Sequence, residues 1–155
     1  MNPNLPPDIQ AMIDLMIKDK AVRIETVTQS HYWFFHFYFS DYIAYPTATF
    51  QKEMFSLTED DGIPVISITA FRGSAKSTIM NTSYPLWSIV GKQKKKFVLV
   101  VGQTQVQARQ HLRNIKREAE SNELLKKDLG PLKDIDGDGP WNANALYLEK
   151  YGAKI

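Results

Sequence analysis

Apolar and polar residues follow two different rhythms along this chain, and the change of rhythm falls near residue 60. In "PPDIQAMIDLMIKDK", Ile9, Met12, Ile13, Met16 and Ile17 recur at helical spacing and share one face. Pro6 and Pro7 stop any earlier helix, and Asp8 stands where it can cap the first amides. "VRIETVTQS" has no clear period. "HYWFFHFYFSDYIAY" then gathers a large share of the aromatics into one stretch, which predicts a buried helix ended by the Tyr45-Pro46 pair.

Past Asp60-Asp61-Gly62, a turn signal, the pattern changes. "VISIT" is a β-branched run suited to a strand buried on both faces. A helix follows, with Ile79, Leu86, Trp87 and Val90 available for packing; Pro85 is expected to kink it or end it near Tyr84. "GKQKKKFVLVVGQT" reads as a loop entering a second strand at 97–101. Thr104 and Gln107 make a capping-box pair before a long helix over 105–121. Its apolar stripe is Ala108, Leu112, Ile115 and Ala119, with Arg109, Arg113, Lys116 and Arg117 on another side. After Asn122 the chain turns irregular through "DLGPLKDIDGDGP", then ends in "ALYLEKYGAKI", a hairpin pattern around Gly152.

The order strand, glycine-containing turn, helix, strand, helix predicts an α/β sheet with crossover connections, preceded by a helical segment. It divides the chain into an aromatic-rich helical part, residues 1–58, and a core over 59–155. Composition adds little to this. A 155-residue chain with 43% hydrophobic and 23% charged residues is ordinary for a soluble globular protein. "IPVISITAF" and "HYWFFHFYF" are too short to cross a bilayer, and the polar N-terminus lacks a secretory pattern. The absence of cysteine excludes disulfides and thiolate metal sites and fits a reducing cytoplasm. A net charge of +2 does not establish nucleic-acid binding.

The chemistry concentrates in "AFRGSAKST", residues 70–78, between the first strand and its helix. A phosphate-binding loop has Gly, four residues, Gly-Lys, then Ser or Thr, so that several amides converge on an anion at a helix start. Lys76 stands at the lysine position, Ser77 at the magnesium-shell hydroxyl, and Thr78 behind it. Ala70 and Ala75 replace the two glycines, with Phe71, Arg72, Gly73 and Ser74 between them. Alanine is tolerated there at negative φ and strained in a left-handed conformation. Arg72, four residues before Lys76, is spaced to lean over a γ-phosphate and stabilise charge developing in phosphoryl transfer. The bland alternative is a strand-to-helix turn whose lysine and arginine face solvent.

"AFRGSAKSTIMNTSYPLWSIV" resembles the ATPase motif of bacteriophage terminase large subunits, the motors that pump DNA into capsids. One branch of that family has Arg-Gly, two variable residues, then Lys-Ser-Thr, with alanine common at the second variable position. The similarity extends through "KKKFVLVVGQTQVQARQHLRNIKREAESNELLKKDLGP", and "HYWFFHFYF" is similar to an aromatic segment upstream of the loop. The resemblance implies a partial P-loop NTPase-like sheet flanked by helices. It implies ATP and Mg2+ as ligands, Lys76 on the phosphates, Ser77 on the metal, loop amides and hydroxyls from Gly73, Ser74, Ala75 and Thr78, and Arg72 on the γ-phosphate. It further implies double-stranded DNA, the capsid portal and a small terminase subunit as partners of the complete motor, in the bacterial host cytoplasm, with no membrane. Gln103 and Thr104 fall where the family has a motif beside the loop.

Phosphoryl transfer in this class also needs a strand ending in acids, to orient magnesium and activate water. After Ser77 the carboxylates are Glu118, Glu120, Glu123, Asp128, Asp134, Asp136, Asp138 and Glu149, and none follows a run of apolar β-formers. The chain therefore reads as the first part of a motor subunit, hydrolysing ATP poorly or not at all alone, with exposed edges that self-associate. A helicase-like ATPase fragment is one alternative. The other is a non-catalytic fragment with a vestigial loop, docking a partner through its aromatic segment.

Other motifs are weaker. "DIDGDG" at 134–139 opens like a calcium loop, but position twelve is Ala145 and Pro140 follows the glycine. His31 and His36 have no cysteine companions, and their five-residue spacing does not set two ligands on one helical face, so core or surface roles are expected. "KQKKK" and the basic side of the 105–121 helix are compatible with DNA backbone contact and equally with solvated surfaces.

Overall fold

The computed structural model describes residues 7–133, 137 and 139–155, leaving aside the side chains of residues 7–10. The caps and face assigned to Asp8 and Ile9, and the acids Asp134, Asp136 and Asp138, therefore lie outside the described residues. The chain is mainly helical, with a two-stranded antiparallel sheet. No described helix is long and apolar enough to cross a membrane.

The described residues begin with α1 (Pro7–Lys18), α2 (Lys20–Gln29), α3 (His31–Tyr38) and α4 (Thr49–Glu59). Asp19 caps α2 by accepting from the amides of Ala21 and Val22, and Ser30 caps α3 through Trp33. On α1 Met16 is fully buried, whereas Met12 and Ile17 are exposed, so the predicted stripe is only partly covered. The aromatic helix ends at Tyr38, well before Tyr45-Pro46; a 3-10 turn at Ser40–Tyr42 follows. Phe34, Phe35, Tyr38 and Phe39 sit in the core, where Phe35 stacks on Phe39 and meets Phe55 of α4.

A helical run then passes through α5 (Lys76–Thr78), a π turn (Ile79–Ser83) and α6 (Tyr84–Val90). Pro85 neither ends the helix nor interrupts its burial. The π turn lets the Tyr84 amide reach the Ile79 carbonyl, absorbing the donor that proline lacks. Ile79, Leu86, Trp87 and Val90 are buried as predicted. Trp87 donates from Nε1 to the Val27 carbonyl at 3.1 Å, fixing this helix to α2.

Helix α7 (Gln105–Ser121) starts at the predicted cap: Thr104 accepts from the Gln107 amide, while Gln107 reaches back to the Gln103 amide. A further helix, α8 (Glu123–Leu129), capped by Asn122, replaces the irregular chain expected there. Buried Arg23 grips Asp128 with two hydrogen bonds of 2.6 and 2.7 Å and also donates to the Met16 carbonyl. Burial alone would raise the Asp128 pKa, but Arg23 and the Tyr38 hydroxyl outweigh it and hold the carboxyl below its ordinary range. The hairpin forms as expected: β1 (Tyr147–Leu148) pairs with β2 (Ala153–Lys154), and Gly152 turns at φ 55.

The predicted P-loop sheet is the main correction. Residues 64–70 adopt no regular secondary structure and join no strand pair among the described residues. Residues 97–101 make one parallel bridge, Phe97 to Lys154, and the Val98 amide donates to the Lys154 carbonyl. Neither segment is buried on both faces. Ile68, Ala70, Val98 and Val100 pack against the core, while Val65, Phe71, Phe97, Leu99 and Val101 on the other side are 63–81% exposed. The strand rhythm in the sequence is real, but a sheet also needs neighbours to satisfy its backbone.

Candidate functional site

Residues 70–78 lie where the irregular segment 64–71 turns into the helical run. Ala70 is half-buried against the core, and Phe71 lies outside with its ring edge-on to Phe50, 5.4 Å between centroids. Gly73 takes φ +86, with open space where a Cβ would point, so backbone conformation alone selects glycine. Ser74 is buried, and its amide donates to the Phe71 carbonyl at 3.3 Å. Ala75 is left-handed, at φ 62 and ψ 8, and stands immediately before α5. Its carbonyl accepts the Ile79 amide, closing the first helical turn. The second glycine position is thus occupied by alanine in the very conformation that costs alanine ~1–2 kcal/mol.

Gly73 and Ala75, both at positive φ, bend the chain into the start of α5, where the Lys76 amide donates to Ser74 Oγ at 3.4 Å. Arg72 and Ser77 are exposed, and Lys76 and Thr78 are half-buried. Neither the Arg72 nor the Lys76 side chain has a hydrogen-bond or ion-pair partner among the described residues. A phosphate fits that donor set, and the exposed Ser77 hydroxyl suits one position in a magnesium shell. Among the described residues no group of three or more histidine and acidic side chains is arranged to hold a metal.

Two supports escape a reading of the sequence. Gln51 accepts the Ala48 amide at 2.9 Å and donates to the Ser74 carbonyl at 3.0 Å, joining the first turn of α4 to the loop. Its signal was present, a glutamine at the third helical position where capping boxes put one. His31 bridges three elements. Thr58 spends its hydroxyl proton on the Phe55 carbonyl, so it accepts from His31 Nδ1–H at 2.7 Å. His31 Nε2 is then the acceptor for Ser83 of the π turn, at 3.0 Å. Complete burial, reinforced by His36, pushes the His31 pKa down to about 3, and the ring stacks neutral on Trp87. His36 donates to the Tyr32 carbonyl and accepts from Thr47, and burial lowers its pKa too.

The basic features are mostly engaged within the chain. Arg109 binds Asn144, Arg113 binds Gln110, Lys116 reaches the Trp141 carbonyl, and Arg117 binds the Tyr42 hydroxyl. Lys96, from the "KQKKK" run, donates to the Tyr151 carbonyl. Beside Arg109, a cleft of about 470 Å³ opens between the 97–100 segment and α7, lined by Leu99, Ala108, Leu112 and Ile155. At the twelfth position of the calcium-like pattern, Ala145 gives its amide to Asn142 in a polar turn.

No family model, no curated protein and no solved structure matches the chain.

Proposed function

We propose that this chain binds ATP with magnesium and belongs to the ATPase domain of a DNA-packaging motor of the terminase large-subunit kind. The observation that carries the reading is the paired left-handed conformation of Gly73 and Ala75 directly before Lys76. A solvent-facing turn gives no reason to keep alanine left-handed, whereas an anion held by converging amides does. In this reading Lys76 closes on the outer phosphates and Ser77 offers its hydroxyl to magnesium. Arg72, exposed and unpaired among the described residues, offsets negative charge at the γ-phosphate.

Steady hydrolysis needs an acid at the end of a strand beside the loop; the described carboxylate that directly follows a strand is Glu149, after β1, in the hairpin with Ala153–Lys154. What is proposed for residues 70–78 is the binding of nucleotide. Double-stranded DNA, the capsid portal and a small terminase subunit are the proposed partners of the working motor, in the cytoplasm of a bacterial host. Exposed Phe97, Leu99 and Val101 support self-association of the isolated chain.

Titration with Mg-ATP, followed by amide NMR, tests the nucleotide reading. Shifts concentrated at residues 72–78, lost in Lys76→Ala with the fold intact, are the expected result. Undisturbed loop amides at millimolar Mg-ATP exclude it.

A further inference from the structure

We infer that the cleft beside Arg109 receives an extended segment of a partner protein, with alternating apolar residues and one acidic side chain, whether or not the chain holds nucleotide. The segment pairs as a strand with residues 99–101. Strand β2 serves only the start of this stretch: the Lys154 amide donates to the Lys96 carbonyl at 3.0 Å, and the Lys154 carbonyl accepts from the Val98 amide at 2.9 Å. Among the described residues, the amides and carbonyls of residues 99–101 have no hydrogen-bond partner. Side-chain exposure nevertheless alternates as in a strand, since Leu99 and Val101 face out while Val98 and Val100 pack on the core. Strand alternation with free peptide groups makes an edge that another chain can extend.

The cleft opens along that edge, and Ala108, Leu112 and Ile155 give it an apolar lining. Charge selects the occupant. Arg109 and Lys154 line the cleft, and among the described residues no carboxylate does. Arg109 spends its Nε–H on Asn144 Oδ1 at 3.0 Å. Its two terminal nitrogens have no partner among the described residues. A planar guanidinium anchored in this way keeps a two-pronged edge for a carboxylate. A second copy of this chain presenting the same edge about a two-fold axis would set the same cations against each other, which favours a partner of opposite charge.

Three synthetic peptides titrated into the full chain, read by amide NMR, test the pairing and the charge separately. The first is Ac-Val-Glu-Val-Thr-Val-NH2, and the second has Lys in place of Glu. The third is the Glu peptide N-methylated at Glu and at the central Val; successive N–H groups of a strand point opposite ways, so one of those two must face the edge. The Glu peptide is expected to shift amides at residues 97–101 and 105–112 saturably. The Lys peptide is expected to bind about tenfold more weakly, and the methylated peptide to give no saturable shift. Arg109→Glu, at an exposed position, is expected to reverse the order of the Glu and Lys peptides, which general loosening of the fold would not do. Undisturbed cleft amides at millimolar Glu peptide overturn the inference. Equal binding of the methylated peptide, or an unreversed preference in Arg109→Glu, overturns it too. Dilution of the chain alone that shifts residues 105–112 would assign the cleft to a second copy and overturns it as well.

Discussion

Residues 31–59 and residues 63–75 both carry apolar runs, yet they dispose of them differently. In the first, Phe34, Phe35, Phe39 and Phe55 are almost completely buried, and the fully buried imidazole of His31 finds a partner for each nitrogen. In the second, Ile68 and Ala70 pack inward while Val65 and Phe71 face out, and the irregular backbone of 64–70 pairs with no strand among the described residues. Helices satisfy their own peptide groups and need only a surface to pack on. An extended segment needs neighbours for its backbone as well as for its side chains. Stability therefore resides in the helical region, and adaptability around the loop.

Removing a buried charge from the stable region should have the largest effect. Asp128→Ala leaves Arg23 buried without its partner and is expected to cost ~3–5 kcal/mol in urea unfolding. A loss below about 1 kcal/mol would mean that the helical region does not depend on this pair.

Acid should attack the same region next. The unfolded His31 takes a proton near pH 6.5, whereas the folded ring resists until about pH 3. Its contribution is thus complete above about pH 6.5 and falls as pH decreases, by on the order of 3 kcal/mol at pH 4. His36 acts in the same direction, and Asp128 adds its own loss only below the ordinary carboxylate range. A stability curve with no slope between about pH 6.5 and pH 4 would contradict the buried neutral imidazole; His31→Asn should make the slope shallower, leaving the part due to His36.

Changes in the adaptable region should be smaller and of the opposite or no sign. Ala75→Gly relieves the left-handed strain and is expected to stabilise the chain by ~1 kcal/mol. Destabilisation on chemical unfolding would place the strain elsewhere. Leu99→Lys, at a site 72% exposed, should move stability by less than about 0.5 kcal/mol. It should nevertheless lower the scattering mass of concentrated samples. A parent chain that is monomeric at every concentration removes the basis for self-association.

What could be read from the letters was local. The Thr104–Gln107 cap, the Leu112–Ile115–Ala119 stripe and the hairpin about Gly152 are each specified within a few residues, and each formed. Helix α8 was hidden because Gly130-Pro131 and the acidic turn beyond it dominate the pattern, and the cap at Asn122 is a single residue directly behind the end of α7. Sheet pairing failed as an inference because "VISIT" and "FVLVV" encode their own extension but not their neighbours. The loop was visible as a motif, yet its hydrogen bond to α4 was not: Gln51 and Ser74 are distant in sequence, as are His31 and Ser83.

The π turn at Ile79–Ser83 has a consequence for the loop itself. It amounts to one residue inserted into an otherwise regular spiral, and each α-helical residue advances the spiral by roughly 100°. Lys76 and the face of α6 that carries Trp87 are therefore out of phase by that much relative to an uninterrupted helix. Excising a single residue there would swing the lysine around the axis without touching the motif, so its aim is encoded downstream of the letters that name it.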